Sequence, residues 1–252
     1  MKLKDLITDE NRALYQQVSS HLPVQLKKSD DGVWHSNLES KRILISHSKT
    51  NHLQAAFTHE LLHIETQLKG YRRLRAGVSL NRSIQEQLPF LCEAIDSEFQ
   101  HHKMYPRFIE LGYQPNEFYQ DSDSLVEQYI LNGIEAKGQA LTSITMVYFT
   151  LIAPGSVIPA DRILELKEQF KNYDEGAFRA RFDAIDSIVA AWKADVGFHA
   201  EPYIIELMNV LACTDAWIAY VPDSTNFPGD GFFTSRPFTI EDINAAWVSE
   251  GK

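Results

Sequence analysis

The hydrophobic positions of the chain change period several times. Over residues 3–20 they recur every three to four positions, which predicts a helix. Three short runs follow, "PVQLKK", "GVWHS" and "KRILISH", separated by "SDDG" and "NLES". Such runs, with turn residues between them, predict short strands. Helical period returns over 50–69, "TNHLQAAFTHELLHIETQLK", and Gly70 ends it. On that helix Leu53, Phe57, Leu61, Ile64 and Leu68 form one apolar stripe. Residues 71–82 predict a loop. Ser83 and Glu86 have the spacing of a capping box, opening a second helix that runs to about 103. Pro89 must kink that helix or mark its true first turn. "MYPRFIELGY" then predicts a turn of the chain.

From 121 onward helical patterns dominate, over 121–137, 140–152, 161–172, 175–194 and 198–216. The stretch "VPDSTNFPGDGFFTSRPFT" is rich in Pro and Gly and predicts irregular structure, with a short helix at 239–248. The fold class expected is α+β and mostly helical. The organisation expected is a region over 1–120 and a helical region over 121–252, or one continuous domain, since no linker marks a boundary near 115–122.

Composition narrows the classes of function. With 252 residues, 44% hydrophobic and 23% charged, the chain suits one large or two modest globular domains. A chain of this size buries enough surface to fold without a metal or disulfide staple, so a metal here would be functional. The net charge of −10 and a single short basic cluster, "YRRLR" at 71–75, argue against nucleic acid as a partner. Two distant cysteines, Cys92 and Cys213, form no disulfide framework. "MKLKDLITDENR" lacks the apolar core of a secretory signal, and the most apolar run, "ITMVYFTLIAP", is too short for a bilayer. The expectation is a cytoplasmic protein with no membrane partner.

Candidate chemistry gathers in the first half, where eight of the nine histidines lie at or before position 102. "FTHELLHIE" sets His59 and His63 four residues apart with Glu60 between them. On a helix His63 falls about 40° and Glu60 about 100° round from His59, away from the apolar stripe. An i, i+4 histidine pair can give two imidazole nitrogens to one tetrahedral Zn²⁺, with Glu60 placed to reach water rather than metal. The bland alternative is a solvated polar face. A catalytic zinc needs a third ligand. If the second helix starts at 84 and packs antiparallel to the first, Glu93 comes level with the two histidines. Asp96 shares its side and would orient one of their rings. His101 and His102 are weaker candidates. Cys92 lies near the second helix's apolar stripe and reads as an inert buried thiol. His199 and Tyr203 could stabilise an oxyanion, but read first as structural.

"KRILISHSKTNHLQAAFTHELLHIE" followed by "CEAIDSEF" resembles the zincin metallopeptidases of gluzincin type, and within them the ImmA/IrrE-like group. The likeness covers about 41–100, and Leu62 stands where that group usually has Gly. It implies a zincin-like N-terminal half with a small sheet. It also implies Zn²⁺ held by His59, His63 and Glu93, Glu60 as general base, and a peptide or protein substrate. Two other readings stay open. Glu60-x-x-His63 and Glu98-x-x-His101 are both ExxH pairs, as in ferritin-like di-iron bundles. A zincin-like fold can also serve as a non-catalytic regulatory or interaction module. The leading expectation is a zinc metallopeptidase-like hydrolase.

Overall fold

The computed structural model describes residues 1–119, 125–136, 139–220 and 227–250. The protein is α+β and mostly helical, with nine α-helices and two three-stranded sheets among the described residues. None of these helices is long and apolar enough to cross a membrane. The chain groups into two compact units that interleave along the sequence. Unit 1 takes Met1–Tyr71, Gln100–Gln128 and Ile152–Pro159; unit 2 takes Arg72–Phe99, Tyr129–Leu151 and Ala160–Lys252. The region of the expected boundary lies partly outside the described residues, at 120–124.

Unit 1 opens with a 3-10 turn at Leu3–Asp5 and helix α1, Arg12–Ser19, where the sequence predicts one helix over 3–20. Asn11 explains the break. Its side chain accepts from the Thr8 N–H (2.9 Å) and donates to the Leu6 carbonyl (2.9 Å), which fixes a loop before α1. The three expected strands are present as β1 (Val24–Lys28), β2 (His35–Leu38) and β3 (Ile43–His47). The central strand β3 pairs parallel with β1 and antiparallel with β2. Ile43 and Ile45 point into the core beside Val24, Trp34, Phe57 and Leu61.

Helix α2, Leu53–Leu68, follows β3 directly. It packs on α1 and the sheet. It is not amphipathic at a wet surface. Thr58, His59, Glu60, Glu65 and Thr66 are buried along with the apolar residues. The solvated-face alternative for the histidines is therefore removed: α2 is a central helix, and its polar groups need partners inside the protein.

Helix α3 runs from Arg82 to Glu110, beyond the expected end near 103. The expected Ser83 capping box is not what starts it. Asn81 caps it, its side-chain oxygen accepting from the N–H groups of Ser83 (2.9 Å) and Ile84 (3.3 Å). Pro89 and Pro106 lie within the helix and are exposed, so "MYPRFIELGY" continues the helix through Glu110 rather than turning at its proline. Gly112, at φ +95°, ends it in a conformation open to glycine. The last part of α3, from Gln100, belongs to unit 1, and Met104 and Phe108 enter its core.

Unit 2 holds an antiparallel sheet the sequence did not predict. Strand β4 (Ala76–Ser79) lies in the segment read as a loop, and pairs with β5 (Ala216–Ala219), which pairs with β6 (Gly231–Phe233). The helix expected over 198–216 is shorter, α8 at Glu201–Val210. It stops because Ala212 takes φ +56° and the Cys213 N–H returns to the Met208 carbonyl at 2.8 Å. The helices α4 (Leu125–Glu135), α5 (Leu141–Ile152), α6 (Ala160–Lys171), α7 (Arg179–Ala194) and α9 (Ile240–Glu250) follow the expected pattern.

Candidate metal centre

The candidate site is built from three lengths of chain in unit 1. Helix α2 supplies His59 and His63, one turn apart. Helix α3 supplies Gln100 and His101. Past Gly112, a 3-10 turn at Pro115–Glu117 leads to Phe118 and Tyr119, whose rings pack against the histidines. Among the described residues, His59, His63 and His101 offer ligand atoms that all lie within 4.8 Å of one another. His59 and His101 are buried and His63 is half-buried.

Two of the three rings are held by side chains outside the trio, while His59 Nδ1 is buried without a hydrogen-bond partner. His63 Nδ1 donates to Gln100 Oε1 at 3.0 Å, which leaves its Nε2 with a lone pair. His101 Nδ1 meets the Tyr119 hydroxyl at 3.0 Å. The backbone of Phe118 interacts with His59. Oriented partners of this kind fix ring direction and tautomer at metal sites. His59 Nε2 and His63 Nε2 are 3.1 Å apart. Two nitrogens on a tetrahedral zinc at 2.0–2.1 Å sit about 3.3–3.4 Å apart, so this pair already has nearly the bite of one ion.

The electrostatics agree with that donor set. Burial pushes the His59 imidazolium down to about pKa 4, only partly offset by the Phe118 backbone. His59 is therefore neutral near pH 7, the form that can bind a metal. Phe118 is fully buried, its ring 4.6 Å from that of His59 and 5.4 Å from that of His101. It packs an apolar face on both of these histidines.

Other expected residues fall elsewhere. Glu93 is exposed and is not part of the cluster. Glu93 comes level with the histidines only if 70–83 is a simple return. That connection contains β4, so counting from the helix start does not set the register. His101 lies eight residues further on, about 12 Å along α3. Asp96, expected to orient a histidine, accepts from Arg73 Nε (3.0 Å) and the Leu74 N–H (2.9 Å) within unit 2. Glu60 and Glu98 are both buried, at 3% and 4% exposure. His102 is buried but outside the cluster. Burial first, then Asp96 and Cys213, push the Cys92 thiol up to about 12, which makes it unreactive. His199 is exposed, and the Tyr203 hydroxyl donates to Asp195 (2.9 Å), a structural pairing in unit 2.

Gln100, Phe118 and Tyr119 had no signal in the sequence. Gln100 precedes two adjacent histidines, and "QPNEFY" carries no motif. The chain matches no known family model, no curated protein and no solved structure.

Proposed function

We propose that this protein is a zinc-dependent hydrolase acting on a peptide bond, with His59, His63 and His101 holding one ion. One observation carries the reading: three clustered imidazoles, two of them buried, whose ligand atoms lie within 4.8 Å of one another. Three imidazole nitrogen donors suit a catalytic zinc, which keeps one position for water or substrate. A di-iron centre needs bridging carboxylates, and a close trio of nitrogens favours a single ion instead. Bound there, zinc would supply Lewis acidity and bring the pKa of a water molecule towards about 7.

The chain's own residues have separate roles. Gln100 and Tyr119 hold His63 and His101 in place. Phe118 excludes water. Glu60 neighbours His59 on α2 and is buried. Its carboxylate takes the proton of the attacking water and passes it to the leaving amine. The peptide substrate and the base role of Glu60 rest on the zincin resemblance. Two free, buried cysteines accord with a reducing compartment such as the cytoplasm.

Elemental analysis tests the metal reading. The purified protein should carry about one zinc per chain. His101→Ala should abolish zinc binding, and Glu93→Ala should leave it unchanged. Two irons per chain, or zinc kept by His101→Ala and lost by Glu93→Ala, would overturn this assignment.

A further inference from the structure

A cavity of unit 1, lined by none of the clustered histidines, lies where the parallel strands β1 and β3 end. It measures about 590 Å³ and is lined by Lys28, His47, Ser48, Lys49, Thr50 and Asn51, with Met1 and Leu53 at its edge. Lys28 is the last residue of β1 and His47 the last of β3, and the two are register partners. In open α/β sheets, ligands bind outside the carboxyl ends of the parallel strands, and the one parallel pair of this mixed sheet ends in the same way. This cavity occupies that position.

Its charge is one-sided. No carboxylate lines it, on a chain whose net charge is −10. Lys28 and Lys49 make no ion pair with the described residues. Asp30, which also feels the charge of Lys28, is ion-paired with Lys27 at 2.8 Å, and Glu117 lies against His52 at 3.2 Å. Burial, the Met1 amino group and Lys28 together hold the His47 imidazolium below its usual range. Burial is the largest of these causes, and the other two are positive charges that act on the ring. Ser48 and Thr50 add hydroxyl groups, and Thr50 Oγ1 already accepts from the His52 N–H at 3.2 Å, leaving its own proton to donate.

We propose that this cavity binds the oxyanion group of a small molecule, a phosphate or a carboxylate, between Lys28 and Lys49. The two ammonium groups supply the charge, the Thr50 hydroxyl donates to the oxygens, and the Ser48 hydroxyl can do so by giving up its long bond to the Lys49 carbonyl (3.5 Å). The site shares no residue with the histidine cluster and does not depend on the zinc reading.

The test uses ¹⁵N-labelled full-length protein titrated with inorganic phosphate and, separately, with acetate, at constant ionic strength of about 0.15 M, where loose surface attraction is screened. Saturable shifts should appear at the amides of Lys28 and of residues 47–51 with at least one anion. The arm that saturates at lower concentration identifies the group. In a Lys28→Ala/Lys49→Ala double variant the affinity should fall about tenfold or more, since two unit charges are lost beside the ligand. Both lysines are exposed, so circular dichroism and zinc content should not change. Two results would overturn the proposal: no saturable shift at these amides with either anion, or unchanged affinity in the double variant. Neither bears on the zinc site, whose stoichiometry is measured independently.

Discussion

At the scale of single residues, burial changes what each polar side chain can do. Glu60 is 3% exposed beside His59, in a helix where a surface carboxylate would mean little. Glu60→Gln keeps the shape and removes the ability to accept a proton. The variant should retain its zinc and lose hydrolysis of a peptide panel by about 10²–10⁴-fold, the usual contribution of a general base. Zinc lost together with activity would make Glu60 a ligand; full turnover with Gln would remove it from catalysis. The same scale separates Glu93 from His101. Both are polar residues on α3, but one is exposed and the other is held by Tyr119 against His59 and His63.

At the scale of elements, the positions where helices begin and end decide what they present. Asn81, not Ser83, starts α3 by accepting two orphan N–H groups. Asn81→Ala should therefore cost about 1 kcal/mol in denaturant unfolding with an unchanged m-value, and Ser83→Ala only a few tenths. Equal costs at the two positions would restore the Ser83 cap. Strand β6 shows a different constraint. A Cβ at Gly231 would collide with the Ile218 carbonyl oxygen, so glycine is what lets β6 approach β5.

At the scale of the whole molecule, a buried neutral histidine links stability to pH. The folded pKa of His59, about 4, lies below the 6.5 of an ordinary histidine. The unfolded chain therefore binds this proton more readily, and stability falls as pH drops from about 6.5 to about 4, then levels off for this group. The shift corresponds to up to about 3 kcal/mol. Urea unfolding of zinc-free protein at pH 7 and pH 4.5 measures it, with His59→Gln as reference. The wild type should lose more stability across that interval than the variant. Equal losses would mean that His59 is not held neutral by the fold.

The sequence by itself determined what depends on neighbours along the chain. The order of β1, β2, β3 and α2 was legible, because strand runs, turn residues and helical period are local signals. So was the His59–His63 pair, since four residues place two rings on one face of any helix. The tertiary structure decided what depends on distant chain. That α2 is buried on its polar side is set by everything packed round it, and no periodicity records it. The choice of His101 over Glu93 turns on a strand, β4, whose four residues have too little pattern to announce themselves. β4 exists because it pairs with β5 in the last quarter of the chain, Ala76 against Ala219. Phe118 and Tyr119 reach the histidines only because Gly112 ends α3 and the chain returns. Such contacts close long loops, and their free energy comes from pairing and burial that a local window of sequence does not contain.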